Sequence, residues 1–443
     1  MSGVSVDDLS QRFQRQLTKV SGIQRWIIAL SGGLDSMVLL ELAARFLPAK
    51  QVTVLHVNHQ LQSEAGEWQL FCAQQAEQRG LTFRAEKVQL EGGSVETAAR
   101  NARYSVFEDK MSSDVCLMMA HHADDQAETL LFRLLRGAGV RGMAAMAVQR
   151  KLNNGKLLRP LLGCSRSELK SWAIREGLSW VEDPSNSDTQ YDRNYLRQQV
   201  LPLLAKRWPR VNERLNATAC HLADAEALLE ELAQADLEAC LASANTLSLT
   251  ELKLLSGRRQ VNALRYWSRQ FGLMLSEGQV DSLRVMAEAA ADSQPELLLG
   301  DTVIRRYRSK LYIDPVTESL RWQECLIDVL ASGLSHGGVL TLKSDAGKDL
   351  DSWLMGVDIR SRQEGDKCHP LGRPGKSLKH LFQEAGVPPW QRDNWPVCIR
   401  AGEIVAIPGI CICQSWCDGE NKPPFWLDWQ PSALFAVGDS GTL

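Results

Sequence analysis

Residues 26–30, WIIAL, and residues 31–36, SGGLDS, are the stretch of sequence that decides the fold. The first five form a short apolar run typical of a buried strand, and the two glycines allow a tight turn before Ser36 opens a helix. Such a turn presents backbone N–H groups and a helix N-terminus, which together favour a phosphate anion. We therefore expect residues 31–36 to bind the phosphates of a ligand.

Asp35 is an unusual residue for such a loop. A carboxylate beside a phosphate repels the ligand unless a divalent cation lies between them, so we expect Asp35 to bind Mg²⁺. The loop lacks the Gly-Lys-Ser/Thr ending of a Walker A motif, which excludes that class of phosphate site. The alternative is a Gly-Gly turn that Asp35 and Ser36 only cap.

Apolar runs alternate with helical patterns in the first third of the chain. The runs that resemble strands are 26–30, 52–57, 81–88 and 115–120. This alternation predicts an α/β fold with a parallel, doubly wound sheet, in which ligands lie beyond the carboxyl ends of the strands. A mainly helical middle domain and a small α+β C-terminal domain are predicted to follow. The predicted domains are 1–215, 216–325 and 340–443.

Longer segments extend the pattern beyond the loop. They are HVNHQLQSEA (56–65), ETAARNARYSVF (96–107), AHHADDQAETLLFRLLRGAGVRGM (120–143), RPLL (159–162), WVEDPSNSDTQYDRNYLR (180–197) and GKSLKHLFQEAGVPPWQRDNWPV (375–397). The loop resembles the PP-loop of the ATP pyrophosphatases, and these segments in this order resemble tRNA-Ile lysidine synthetases. The resemblance implies a PP-loop N-terminal domain of the adenine nucleotide alpha hydrolase-like type.

The resemblance also implies an activity, that of an ATP-dependent carbon–nitrogen ligase. In that family ATP adenylates the C2 oxygen of the wobble cytidine in a tRNA-Ile with a CAU anticodon, and pyrophosphate leaves. The ε-amine of free L-lysine then attacks C2 and displaces AMP, which gives lysidine. The implied cofactors are ATP and Mg²⁺.

Candidate catalytic residues follow the predicted strands. The predicted ATP-binding residues are Ser31, Gly32, Gly33, Leu34, Asp35, Ser36 and His56. For lysine binding the resemblance implies Asp124, Asp125 and Glu128, of which the last two share a helix face that suits an ammonium group. Arg103 suits stabilisation of charge on the α-phosphate or on the activated base. The predicted catalytic set is Asp35, Arg103, Asp125 and Glu128; the alternatives are acids that only compensate a helix dipole and an arginine on a solvated face.

Basic residues concentrate in two regions although the net charge is −3. A polyanion can be attracted to such regions whatever the net charge. The predicted tRNA-binding residues are Arg133, Arg136, Arg193, Arg197, Arg207, Lys376, Lys379 and Arg392. The alternatives are ordinary solvated surface, pairing of Arg193 and Arg197 with acids such as Asp192, and a basic rim around a small C-terminal core.

The eleven cysteines are spread over the chain and are expected to be reduced thiols. Cys411, Cys413 and Cys417 have a spacing atypical of zinc sites, so we expect no metal there. A tRNA thiolase is the nearest rival enzyme, but iron–sulfur thiolases use CxxC pairs, which this sequence lacks. A non-catalytic tRNA-binding protein is the other alternative, although it has no reason to carry Asp35, Asp125 and Glu128.

The sequence carries neither a run of about 20 apolar residues nor a signal-peptide pattern. We therefore expect a cytoplasmic enzyme without a membrane partner. The oligomeric state is open, with a homodimer as one option.

Overall fold

The computed structural model describes residues 6–60, 62–89, 95–183, 188–243, 245–290, 293–316, 322–332, 334–335, 338–344, 350–417 and 421–431. Residues 184–187 of the segment 180–197 and the end of the predicted domain 340–443 lie outside these ranges. The chain divides into two compact units, Met1–Leu228 and Leu229–Leu443. The three predicted domain ranges stay a prediction. None of the described helices has the length and apolar character needed to span a membrane.

The first unit contains a six-stranded sheet and the helices that cover it. The strands are β1 (Arg25–Ala29), β2 (Val52–Asn58), β3 (Thr82–Lys87), β4 (Val115–Met118), β5 (Gln149–Leu152) and β6 (Gly155–Leu158). The helices are α1 (Val6–Leu17), α2 (Leu34–Phe46), α3 (Ala65–Glu77), α4 (Val95–Asp109), α5 (Ala123–Leu135), α6 (Val140–Met143), α7 (Arg166–Arg175), α8 (Asp192–Tyr195), α9 (Leu201–Arg207) and α10 (Val211–Cys240), which continues past Leu228. A 3₁₀ turn, Ala49–Gln51, precedes β2, and a π-helical segment, Leu196–Val200, lies between α8 and α9.

The strand order is β3-β2-β1-β4-β6-β5. All neighbours are parallel except β5 and β6, which form an antiparallel hairpin. Alternate residues of β1 point to opposite faces: Ile28 packs with residues of α1, α2 and α7, and Ile27 packs with Phe107 of α4. Helices therefore cover both faces, as the doubly wound prediction requires.

The order of the strands determines where a ligand can bind. After β1 the chain moves to β2 and β3 on one side, and it then returns to β4 on the other side of β1. The crevice at the carboxyl ends of β1 and β4 is thus the topological switch point, where such sheets bind ligands. Residues 31–36 follow β1, and the acidic start of α5 follows β4.

The second unit combines helices with antiparallel sheets. Its further helices are α11 (Leu249–Leu252), α12 (Gly257–Gln270), α13 (Glu277–Glu288), α14 (Leu326–Ser332), α15 (Asp351–Leu354), α16 (Leu378–Glu384) and α17 (Pro389–Arg392). Its strands are β7 (Leu241–Ser243), β8 (Thr246–Ser248), β9 (Glu296–Leu299), β10 (Thr302–Tyr307), β11 (Lys310–Pro315), β12 (Gln323–Cys325), β13 (Leu334–Ser335), β14 (Gly338–Ser344), β15 (Val357–Ser361), β16 (Lys367–Cys368), β17 (Lys376–Ser377), β18 (Pro396–Arg400), β19 (Glu403–Ile407), β20 (Cys411–Ile412) and β21 (Phe425–Pro431). A 3₁₀ turn, Gln414–Trp416, follows β20.

Two larger sheets organise this unit, in the orders β7-β8-β11-β10-β9 and β12-β15-β18-β19-β20. The first packs on α10 to α13 around Trp267 and Ile304, and the second forms a separate core with α16 around Phe382 and Val397. Hydrogen bonds join the two parts: Trp390 Nε1 donates to Asp314 at 2.8 Å. The predicted fold class is confirmed, with a mixed parallel sheet, a helical middle and antiparallel C-terminal sheets.

Candidate active site

The phosphate loop, residues 31–36, joins β1 to α2. Gly32 has a φ of +87°, a left-handed conformation in which an L side chain is strained. A Cβ atom on Gly32 would also lie 3.1 Å from Cys72 Sγ. The Gly32 carbonyl accepts a hydrogen bond of 2.9 Å from the Val181 amide. The backbone conformation therefore favours glycine at this point of the loop, and the Cys72 side chain would have to shift slightly to admit a Cβ atom.

The two serines of the phosphate loop are bonded to each other. Ser36 Oγ donates to the Gly33 carbonyl at 2.9 Å, and Ser31 Oγ donates to Ser36 Oγ at 3.1 Å. Gly33 is the N-cap of α2 and provides no side-chain bond to the first-turn amides. Those amides carry the positive end of the helix dipole, so the loop offers a site for an anion.

Asp35 lies in the first turn of α2, and its carboxylate is half-buried. One oxygen, Oδ2, lies 3.5 Å from Nε2 of His122. The other, Oδ1, is buried and has no hydrogen-bond partner among the described residues. A buried carboxylate oxygen without a partner is costly unless a ligand satisfies it, and Mg²⁺ prefers such oxygens. The residue present therefore fits a magnesium ligand.

His122 connects the phosphate loop to the acidic helix α5. Its side chain is 2% exposed, and its Nδ1 accepts from the Asp125 amide at 3.4 Å while Asp125 Oδ2 accepts from the His122 amide at 3.0 Å. This reciprocal capping places the imidazole proton on Nε2, which faces Asp35 and Asp125 at 3.5 Å each. Burial lowers the pKa of His122, but Asp35, Asp125 and Asp124 outweigh it and raise the pKa above its usual value.

Asp125 and Glu128 share one face of α5 and bind the same cation. Arg197 donates from Nε to Glu128 Oε1 at 2.6 Å, and from Nη2 to Asp125 Oδ1 and Glu128 Oε2 at 2.9 Å each. The Glu128 side chain is 6% exposed. Burial raises the pKa of Glu128 above its usual range, and the guanidinium of Arg197 opposes that shift. The two carboxylates thus form a partly buried cation site, in which Glu128 is the buried member.

Asp124 points away from this cation. Its Oδ2 accepts from the Arg166 amide at 2.8 Å, and its Oδ1 accepts from Asn212 Nδ2 at 2.8 Å. These bonds attach α5 to the start of α7 and to α10. Asp124 is therefore engaged in joining helices, and Asp125 and Glu128 are the better placed pair for a ligand.

The carboxylate cluster, defined as Asp35, Asp124, Asp125 and Glu128, is joined by His122 and Arg197. Arg197 bonds two of these carboxylates, Asp125 and Glu128, and His122 lies between the other two and Asp125. The site can therefore accept further cations, and it lies beside a loop built for an anion.

Three family models match the chain in order: the PP-loop domain over residues 7–204, the TilS substrate binding domain over 247–312 and the TilS substrate C-terminal domain over 357–429. A tRNA(Ile)-lysidine synthase of Pseudomonas syringae pv. tomato is 39% identical over 444 residues, which cover 95% of this chain and 96% of the relative. The chain belongs to the tRNA(Ile)-lysidine synthase family. The enzyme of that name from Coxiella burnetii is 36% identical and covers 94% of this chain and 95% of its own.

Membership in the tRNA(Ile)-lysidine synthase family confirms the resemblance carried by the motifs. The PP-loop domain makes the chain an ATP-binding protein, and the family is one of ATP-dependent ligases. The rival interpretations, a thiolase or a non-catalytic binding protein, receive no support from these relatives.

His56 and His59 lie at the end of β2, next to the phosphate loop. His56 Nδ1 donates to the Leu30 carbonyl at 2.9 Å, because a carbonyl can only accept, and its Nε2 is left as an acceptor. Burial, Arg103 and His56 lower the pKa of His59 to about 4. Both histidines are therefore neutral near pH 7, and Arg103 brings a positive charge close to His59.

The predicted tRNA contacts of the first unit occupy different environments. Arg136 and Arg207 are exposed, and Arg193 lies over the Phe132 ring at 6.0 Å. Arg133 instead donates to the carbonyls of Gly142 at 2.7 Å and Ala145 at 2.8 Å. Its guanidinium faces the protein backbone, and that of Arg197 faces the carboxylate cluster. Arg133 and Arg197 therefore differ from the predicted surface contacts, because each guanidinium bonds to groups of the protein itself.

In the second unit the three predicted contacts also differ. Lys379 is exposed, and Lys376 donates to Glu384 at 2.6 Å on the surface. Arg392 is 8% exposed and donates to the Val387 carbonyl at 2.9 Å and to Tyr307 Oη at 3.2 Å. Arg392 therefore holds α17 against β10, and a phosphate cannot reach it in this conformation.

Several site residues were missed by sequence reasoning. The sequence prediction gives His122 no role, although its place between β4 and α5 is a usable signal. Asn212 carried no signal, because its bond to Asp124 spans 88 positions of the chain. Arg159 was also missed: it is 4% exposed and donates to His121 Nδ1 at 3.3 Å.

Proposed function

We propose that this tRNA(Ile)-lysidine synthase family member joins free L-lysine to the wobble cytidine of a tRNA-Ile with a CAU anticodon. ATP adenylates the C2 oxygen of the cytosine and pyrophosphate leaves. The lysine ε-amine then attacks C2, the C–O bond to AMP breaks, and lysidine forms. The observation that carries this proposal is a partly buried cation site, Asp125 and Glu128, beside an anion-binding loop.

ATP binding is assigned to the phosphate loop and to His56. The amides at the start of α2 and the two serine hydroxyls receive the phosphates, and Nε2 of His56 accepts from the nucleotide. Asp35 would hold Mg²⁺, which supplies neutralisation of the charge on the phosphates. Arg103, beside His59, stabilises the charge that develops during adenylation.

Lysine binding is assigned to Asp125 and Glu128. In the structure these carboxylates hold Arg197, a side chain whose cationic end resembles that of lysine in charge. We propose that Arg197 moves to a tRNA phosphate when the tRNA binds, and that the lysine ammonium takes its place. Glu128 then accepts a proton from the ammonium, because burial favours its protonated form.

The tRNA is assigned to exposed bases and aromatics near the site. Tyr195 and Trp208 are about half-exposed, and they alternate along the chain with Arg193 and Arg207. Aromatic faces beside guanidinium groups suit unstacked bases of an anticodon loop. Lys376 and Lys379 provide a second set of phosphate contacts.

The test is transfer of radiolabelled lysine. Purified protein is incubated with ATP, Mg²⁺, labelled lysine and bulk bacterial tRNA, and label is counted in acid-precipitable RNA. We expect label that requires ATP, survives mild alkaline deacylation and maps to the anticodon. Label lost on deacylation would place lysine on the terminal ribose and contradict the proposal.

Two variants separate the roles of the site. Asp35→Asn keeps the shape of the side chain and removes the charge for Mg²⁺, so it should abolish both pyrophosphate release and lysine transfer. Glu128→Gln should leave tRNA-dependent pyrophosphate release within about threefold of wild type and lower transfer by about 100-fold or more, the size of a general-base effect. Equal loss of both steps in Glu128→Gln would refute its assignment to lysine.

A further inference from the structure

Three cysteines of the C-terminal part of the chain converge on one point. The Sγ atoms of Cys368, Cys411 and Cys413 all lie within 4.8 Å of one another. Cys368 ends β16, Cys411 begins β20, and a bridge between Pro370 and Cys413 fixes the two segments side by side. Cys368 and Cys413 are buried at 3% and 0% exposure, whereas Cys411 is half-buried. This thiol cluster is closed on the protein side and open beside Cys411.

We propose that the thiol cluster, Cys368, Cys411 and Cys413, binds one zinc ion through three sulfur atoms, with the fourth position open to water or a small ligand. Zinc–sulfur bonds of about 2.3 Å in a tetrahedron place the sulfurs about 3.8 Å apart. The observed limit of 4.8 Å requires the sulfurs to move by about an ångström or less to reach that geometry. A disulfide would require two of them to approach to about 2.05 Å and would leave the third alone.

The charge of the thiol cluster suits a divalent cation. Three thiolates carry one negative charge more than a zinc ion can neutralise, so they hold a divalent cation firmly. Zinc binding displaces the three thiol protons to solvent and forms three Zn–S bonds, which leaves one net negative charge.

The proposed zinc ligands differ from the group Cys411, Cys413 and Cys417, whose spacing predicts no metal site. Cys417 follows the Cys-X-Cys pair, but its thiol donates to the Cys413 carbonyl and lies outside the cluster. Its place is taken by Cys368, which is distant in sequence. The zinc would attach β16 and the following β17, which carries Lys376, to β19 and β20. It would thus stabilise the surface that carries Lys376 and Lys379.

The test uses full-length protein without an affinity tag, reduced and incubated with zinc. After gel filtration, elemental analysis should give about one zinc per chain in wild type and in Cys417→Ser, but below about a tenth in Cys411→Ser. Cys417→Ser is the matched control because it removes a thiol of the same turn that is not a proposed ligand. Wild type that retains no zinc, or Cys411→Ser that retains as much as wild type, would overturn the proposal.

Two readouts on wild type do not depend on a variant that folds. Cobalt should produce a thiolate charge-transfer absorption of the same intensity in wild type and in Cys417→Ser. Zinc should slow alkylation of Cys411 by at least about tenfold, while alkylation of Cys417 stays unchanged. A Cys411 that alkylates at one rate with and without zinc, or a disulfide among the three residues in the intact protein, would contradict the proposal. Neither result bears on lysine transfer.

Discussion

Two adjacent histidines, His121 and His122, follow β4, and the groups around them differ. Arg159, Arg100 and Arg103 surround His121, and burial together with these cations lowers its pKa to about 3. The carboxylates of Asp35, Asp125 and Asp124 face His122 and raise its pKa. The two neighbouring histidines therefore differ in charge: His121 stays neutral, whereas His122 favours its protonated form.

The contrast predicts opposite pH dependences. The protonated form of His122 stabilises the folded state below its ordinary pKa of about 6.5, and this contribution is lost as pH rises through the raised pKa. His122→Asn should thus lower the free energy of unfolding more at about pH 6 than at about pH 9. In the folded state His121 stays neutral at a pH at which the histidine of the unfolded chain binds a proton. His121→Asn should therefore lower the free energy of unfolding less at about pH 6 than at about pH 9. Urea unfolding of both variants between about pH 6 and pH 9 measures how the loss of free energy of unfolding depends on pH. The same pH dependence in both variants would contradict the assigned charge states.

Arg197 allows a prediction about substrate order. If its guanidinium occupies the lysine site until tRNA binds, Arg197→Gln should bind free lysine without tRNA about tenfold more tightly than wild type, the effect of about 1.4 kcal/mol. The variant should also lose tRNA affinity. Calorimetric titration with lysine measures the first effect, and Arg193→Gln, which lies outside the carboxylate cluster, is the control. Lysine binding in Arg197→Gln that is weaker than in wild type would show that Arg197 supports the site instead.

At the scale of elements, the π-helical segment Leu196–Val200 determines where Arg197 points. The Leu201 amide bonds to the Leu196 carbonyl, five residues earlier, which widens the turn. Pro202 provides a physical reason, because its ring would clash with the carbonyl of residue 198 in a regular α-helix. A single π turn rotates the side chains before it relative to those after it, and such turns are frequent at functional sites.

This geometry predicts the effect of Pro202→Ala. Without the ring the segment can regain α-helical pitch, which would turn Arg197 away from Asp125 and Glu128. We expect the free energy of unfolding to change by less than about 2 kcal/mol and tRNA-dependent lysine transfer to fall by about tenfold or more. Denaturant unfolding and the label assay measure the two effects. Pro209→Ala, which lies beyond α9, should leave both unchanged; an identical loss in that variant would rule out the explanation through the π turn.

The elements that sequence predicted well are those with local signals. β1 and α2 were predictable because an apolar run, two glycines and a helical pattern lie within 21 residues, and the structure places β1 at Arg25–Ala29 and α2 at Leu34–Phe46. The hairpin β5–β6 was missed because β5, QRKL, is an edge strand with three exposed polar residues and lacks alternation. Helix α1 likewise has no counterpart among the predicted elements.

The candidate site divides in the same way. The phosphate loop and the acidic residues of α5 could be named from sequence, because each is continuous in the chain. Their connections could not: Arg197 reaches Glu128 across 69 positions and Asp125 across 72. Cys368 joins Cys411 and Cys413 for the same reason, through strand pairing that no local spacing records. Contacts of this kind depend on how the sheet order brings distant segments together.

At the scale of the whole molecule, charge has to be considered locally. The chain has 50 lysine and arginine residues against 53 aspartate and glutamate residues, so its overall field does not attract a polyanion. Affinity for tRNA must then come from individual exposed cations near the bound strand, each of which releases a counterion. Burial already removes Arg392 from this set and leaves Lys379 fully available.

Lys379→Ala should therefore lower tRNA affinity and also its dependence on salt. The slope of log K against log salt should decrease by roughly 0.7 to 0.9 if Lys379 contacts one phosphate. The KM for lysine should stay unchanged, because the carboxylate cluster is untouched.

Lys343→Ala is the control: Lys343 is exposed, bonds Asp428 at 2.7 Å and lies outside the segments that match the family models. Filter binding at several salt concentrations measures both slopes. An unchanged slope for Lys379→Ala would place the tRNA on another surface of the chain, whereas a decrease of the same size in Lys343→Ala would indicate a diffuse field in place of a specific contact.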